Sequence, residues 1–127
     1  NGVNVTLNGT ESTINGSEFS IGSAAAGVFL RTGGSKGAIT LGVGTISSGT
    51  ATLIQSSLTG TEGKAVLQDA TVTAGGNLRI ETGGLGNSEV LDSSLTSNTL
   101  VRILSGAGGN CKSQNNIINA PVQQICL

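Results

Sequence analysis

The sequence predicts an all-β fold, a parallel β-helix or solenoid of about five rungs with three short strands in each. Three observations predict it. Short apolar segments return along the chain with a period of about 23–27, which is the mark of a repeat architecture. Gly, Ser, Thr and Asn make up 62 of the 127 residues, enough small and turn-forming side chains for many tight corners. Leu, Ile, Val and Phe add 34 more, interleaved with the glycines, which is enough aliphatic surface to build a core.

The first strand position of the repeat is read from Val5-Thr6-Leu7, Val28-Phe29-Leu30, Leu53-Ile54-Gln55, Leu78-Arg79-Ile80 and Val101-Arg102-Ile103, aligned in that order. Leu30-Arg31-Thr32-Gly33-Gly34 and Ile80-Glu81-Thr82-Gly83-Gly84 match beyond the strand. Gln55 falls where this register wants an apolar residue, and a bulge or one-residue slip near Leu53 and Ile54 repairs it. The second position is read from Ile14, Ile39, Val66 and Val90, and the third from Ile21, Ile46, Val72 and Leu95. Inward and outward side chains alternate along each strand, so stacking rungs gathers the aliphatic residues into columns. Corners suit Gly and Asn, which accept positive φ. With no Trp or Tyr and two Phe, the predicted interior is narrow. An antiparallel sandwich also has many short strands, but it gives no reason for matched segments at this spacing.

Between about Val3 and Ala107 these Gly/Ser/Thr/Asn-rich rungs resemble the right-handed parallel β-helices of filamentous-haemagglutinin-type bacterial surface proteins. The resemblance is one of repeat style, without a diagnostic motif. The chain is short beside that family, lacks its N-terminal secretion domain, and carries a C-terminal cysteine pair foreign to the pattern. What the resemblance implies is right-handed winding, which parallel crossovers also favour, and a place at the cell surface.

Little in the sequence points to catalysis. Six basic and seven acidic residues give a net charge of −1 with no basic stripe, so nucleic acid is not the expected partner. No apolar run is long enough for membrane insertion by a helix. There is no His, which removes the usual general base and the triads. Asp69 and Asp92, one repeat apart, are expected on adjacent rungs as part of a solvated face, with the paired-carboxylate site of a polysaccharide-active enzyme as the lesser alternative. Gly83-Gly84-Leu85-Gly86-Asn87-Ser88 resembles the opening of a calcium nonapeptide, but Ser88 stands in the ligand Asp's place and no second copy follows, so a turn is expected. Gly106-Ala107-Gly108-Gly109 lacks the Lys-Ser or Lys-Thr of a phosphate loop. Three sequons, at Asn4, Asn8 and Asn15, match chance expectation. No catalytic residue, metal or cofactor is assigned.

Cys111 and Cys126 are the only cysteines, and a disulfide between them is expected, pinning a loop at about 108–127 over rungs that occupy about 3–107 of one domain, 1–127. Such a bridge implies an oxidising compartment, and an extracellular or cell-surface protein with its signal peptide removed is the expectation. The expected function is that of a structural subunit stacking head-to-tail into a surface fibre, with copies of itself as partners; an adhesin or passenger fragment meeting glycans or a host surface is the alternative. The expected polymer contacts are Val3, Val5 and Leu7 at one end and Ile117, Ile118, Val122 and Ile125 at the other. Arg79 and Arg102 are expected to project outward in a column with Phe29 and Ile54, an ordinary face with exposed side chains or, as the alternative, a mixed strip for lateral contact with a protomer or an acidic glycan.

Overall fold

The computed structural model describes residues 2–57 and 62–126, and among these residues the chain is all β, without a helix. Strands β1 (Val3–Leu7), β3 (Val28–Thr32), β5 (Thr52–Ser56), β7 (Leu78–Thr82), β10 (Leu100–Leu104) and β13 (Val122–Ile125) stack in that order into one parallel sheet, here the first sheet. The second sheet contains β2 (Thr13–Ser23), β4 (Ala38–Ser48), β6 (Lys64–Ala74), β8 (Asn87–Leu91), β9 (Ser94–Ser97), β11 (Asn110–Gln114) and β12 (Ile117–Asn119). Strands β2, β4 and β6 each run 11 residues through a bend, and β8–β9 and β11–β12 are the same path divided at that bend. Each rung therefore has three strand segments. Rung 1 is β1–β2, rung 2 β3–β4, rung 3 β5–β6, rung 4 β7–β9 and rung 5 β10–β12, while β13 opens a sixth. The fold is a parallel β-solenoid of about five turns.

The core is a set of aliphatic columns. Val3, Val28, Thr52, Leu78 and Val101 form one; Val5, Leu30, Ile54, Ile80, Ile103 and Ile125 form the next. In the second sheet Ile21, Ile46, Val72, Leu95 and Ile118 stack as the spacing predicts, with the middle three at most 1% exposed.

Two register readings are corrected. In the first sheet Val5 stacks on Leu30 rather than on Val28, whose partner is Val3. Ile54, not Leu53, faces inward there, between Leu30 and Ile80, so the slip near Gln55 is real. Leu53 takes the outward place beside Phe29 and Arg79 that was expected of Ile54. In the second sheet Val66 lies between Thr40 and Glu89 on the outward register, and Ala65 continues the Ile14–Ile39 column, while Leu67 pairs with Val90. The first is a slip of two residues, which leaves each side chain on its face, while those at Leu53-Ile54 and Ala65-Val66 are slips of one. Neighbouring apolar residues leave the alignment ambiguous, and a single step reverses every side chain in the strand.

The strands also continue past 107. β11, β12 and β13 occupy most of 110–125, the segment expected to be a loop. Its alternate residues are polar and its inward ones include Cys111 and Ser113, so few aliphatics announced it.

Polar side chains tie the corners. Thr32, Ser56 and Thr82, all buried, follow the inward strand ends: Thr32 Oγ1 and Ser56 Oγ share a hydrogen bond of 2.8 Å, and Ser56 Oγ donates to the Gly37 carbonyl at 2.6 Å. Buried Ser48 and Thr52 are joined at 2.8 Å at another corner. These hydroxyls satisfy one another and nearby backbone, which lets a polar residue occupy an interior column. Gly44 is needed where it stands, because the backbone carbonyl of Phe19 in the rung beneath, with the Phe19 ring behind it, occupies the space a Cβ would enter.

The bend of the second sheet is made by one residue per rung in the left-handed region: Glu18 (φ 55°), Val43 (48°), Asp69 (50°), Asp92 (50°) and Asn115 (56°). Asp and Asn accept this conformation, whereas a β-branched residue is strained in it. Val43 is moreover 54% exposed. Val43→Asn is expected to stabilise the monomer by about 1 kcal/mol, read as a rise in thermal or denaturant midpoint.

Candidate functional site

The first rung is unlike the middle ones. Val5 and Leu7 are 38% and 37% exposed and Val3, Ile14, Phe19 and Ile21 are half-buried, although the rung-2 residues that continue their columns, Val28, Leu30, Ile39 and Ile46, are at most 1% exposed. Among the described residues the outer edges of β1 and β2 pair with no strand. Their inward aliphatic side chains and free backbone groups lie together on one face, a template for further strands.

The other end is stepped, because β13 lies one layer beyond β11 and β12. Ile118 and Ile125 top the core columns, partly buried. Ile117 and Val122 do not join them: they pair with Ser94 and Leu100 on the outward register and are 73% and 49% exposed, facing the sides of the solenoid rather than its axis. Gln123 occupies the inward place above Val101, and its amide donates to the Ile118 carbonyl at 3.2 Å. Cys111 and Cys126 form the disulfide, with Cα atoms 5.2 Å apart. Cys111 continues the column of Ala65 and Ser88 in rung 5, and Cys126 follows β13, its N–H donating to the Ile103 carbonyl at 2.8 Å. The bridge thus spans the step. Beside it lies an open hollow of about 460 Å³, lined by 105–109 and the two cysteines.

The outer face of the first sheet carries a polar chain that sequence reasoning missed. Gln55 Nε2 donates to Glu81 Oε2 at 2.9 Å, Arg102 Nη1 lies 3.6 Å from Glu81 Oε1, and Arg102 Nε donates to Gln124 Oε1 at 2.6 Å. The signal was available in Ile54-Gln55 aligned with Ile80-Glu81, once the one-residue slip is made. Arg31 lies 5.3 Å from the centre of the Phe29 ring, a cation–π distance. Arg79 stands in register with Arg102, and its Nε is buried without a hydrogen-bond partner.

The remaining candidates resolve simply. Asp69 and Asp92 do stack on adjacent rungs, at the exposed convex bend of the second sheet. Ser88 of the calcium-like turn is fully buried, and its hydroxyl donates to the Leu104 carbonyl at 2.6 Å. Asn4, Asn8 and Asn15 are exposed. Among the described residues no group of three or more His, Cys, Asp or Glu converges. No family model matches the chain, and neither a curated protein nor a solved structure matches it. The fold and these surfaces define a disulfide-bridged parallel β-solenoid.

Proposed function

We propose that this solenoid is a structural subunit of an extracellular surface fibre, adding further rungs end to end with copies of itself. The observation that carries the reading is the stack itself: rung pairs with rung through one repeated aliphatic column, Val5, Leu30, Ile54, Ile80, Ile103 and Ile125, which a further rung of the same sequence continues. Stacking a strand on β1 at about 4.8 Å satisfies backbone groups and buries its aliphatic surface together. Ile118 and Ile125 are the matching apolar contacts at the opposite end. Ile117 and Val122 belong to the sides. The disulfide supports an oxidising, extracellular location.

Val5→Lys combined with Leu7→Lys is expected to give folded monomers, because it damages the open rung and leaves the columns of rungs 2 to 5 intact. Sedimentation and negative-stain electron microscopy compare the variant with wild-type fibres, and circular dichroism checks its fold. Wild-type protein that stays monomeric at high concentration overturns the fibre reading. It leaves the alternative, a solenoid segment of a larger adhesin whose own residues continue the stack.

A further inference from the structure

We infer that two copies of the chain also associate side by side, the bend of the second sheet in one copy docking on the outer face of the first sheet in its neighbour. This rests on residues other than those of the proposed fibre contact. Two rows of opposite charge lie on different faces of the molecule. On the strands of the first sheet stand Arg31, Arg79 and Arg102 against one carboxylate, Glu81, which Gln55 and Arg102 already hold. Arg79 and Arg102 share a column with Phe29, and Arg31 joins them from the next column through its contact with the Phe29 ring. Along the bend stand Glu18, Asp69 and Asp92, all exposed and in no ion pair among the described residues.

The two rows have the same spacing. Glu18, Asp69 and Asp92 lie in rungs 1, 3 and 4, and Arg31, Arg79 and Arg102 in rungs 2, 4 and 5. In each row a step of two rungs, about 10 Å, precedes a step of one, about 5 Å. Two parallel solenoids staggered by one rung therefore set Asp69 against Arg79 and Asp92 against Arg102, and Glu18 against Phe29, beside whose ring the Arg31 guanidinium lies. The uncharged positions follow the same stagger: exposed Val43 meets Leu53, and Asn115 meets Gln124. An antiparallel neighbour reverses the order of steps and loses the match.

Each row also holds like charges on adjacent rungs, Asp69 with Asp92 and Arg79 with Arg102, an unfavourable arrangement that an opposite row relieves. Val43, strained and exposed in the monomer, gains an apolar partner. Since every copy offers both rows, the contact is heterologous and joins solenoids, or fibres of them, into lateral arrays.

The test uses the Val5→Lys, Leu7→Lys background, so that failure of end-to-end stacking and of lateral docking are separable. Sedimentation is expected to show association at about 20 mM salt that weakens about tenfold or more by about 500 mM, where the screening length is only a few ångströms. Asp69→Lys with Asp92→Lys, or Arg79→Glu with Arg102→Glu, is expected to abolish it, and mixing the two variants to restore association in which the two alternate in equal amounts. Asp69→Asn with Asp92→Asn keeps the bend, as Asn115 does in rung 5, and is expected to abolish association with an unchanged melt. A protein that stays monomeric at low salt, association indifferent to salt, or folded reversal variants that do not combine each overturns the inference.

Discussion

Ile80→Asp is expected to leave the chain unfolded. Ile80 is fully buried in the centre of the first sheet, stacked between Ile54 and Ile103 and flanked in sequence by the outward Arg79 and Glu81. A carboxylate there has no partner on the inward face and either ionises against apolar neighbours or stays protonated at the expense of its pKa. The cost is several kcal/mol, comparable to the whole stability of a domain this size. Position makes the loss worse, because rung 4 joins the stack on both sides and a solenoid's stability is the sum of such interfaces. Far-UV circular dichroism and the yield of folded protein measure the outcome. Ile80→Val is the control and should cost only about 1 kcal/mol. A variant Ile80→Asp that melts normally would show that the column through Ile54, Ile80 and Ile103 is not the core.

Removing the disulfide is the second large effect. Replacing Cys111 and Cys126 by Ser is expected to cost about 3 kcal/mol, since the bridge closes a loop of about 16 residues in the unfolded chain. The damage should be local. Among the described residues β13 pairs only with β10, and β12 only with β9, while the middle rungs are paired on both edges. Hydrogen exchange should therefore rise first in β11, β12 and β13 and leave β5, β7 and β6 protected. Uniform loss of protection along the solenoid would contradict this, and so would no change at all. If the half-exposed Ile118 and Ile125 are fibre contacts, the same variant should also assemble poorly, because its terminal layer frays.

How much of this could be read from the chain divides along a physical line. The number of rungs, their parallel stacking and the column Ile21–Ile46–Val72–Leu95 follow from local sequence, because an aliphatic residue isolated between polar ones has one direction to face. The pairing of the two cysteines was legible for a similar reason, since each had a single candidate partner. The Gln55 anomaly was visible as well, although not its meaning.

Doublets such as Leu53-Ile54 and Ala65-Val66 were decided only by the tertiary structure. Their corners absorb one residue more or less, the alternation then inverts, and only the stack above and below selects which side chain is buried. The strands of 110–125 were decided the same way: with few aliphatics of their own, they are ordered by pairing with rung 4, with β10 and by the disulfide. The outer surfaces depended on it most. Glu18, Asp69 and Asp92 form a row, and Arg31, Arg79 and Arg102 another, only once each residue is assigned to a rung and a face. Stacking brings positions one full repeat apart in sequence to within about 5 Å, a proximity set by the coil of the whole chain rather than by any local segment.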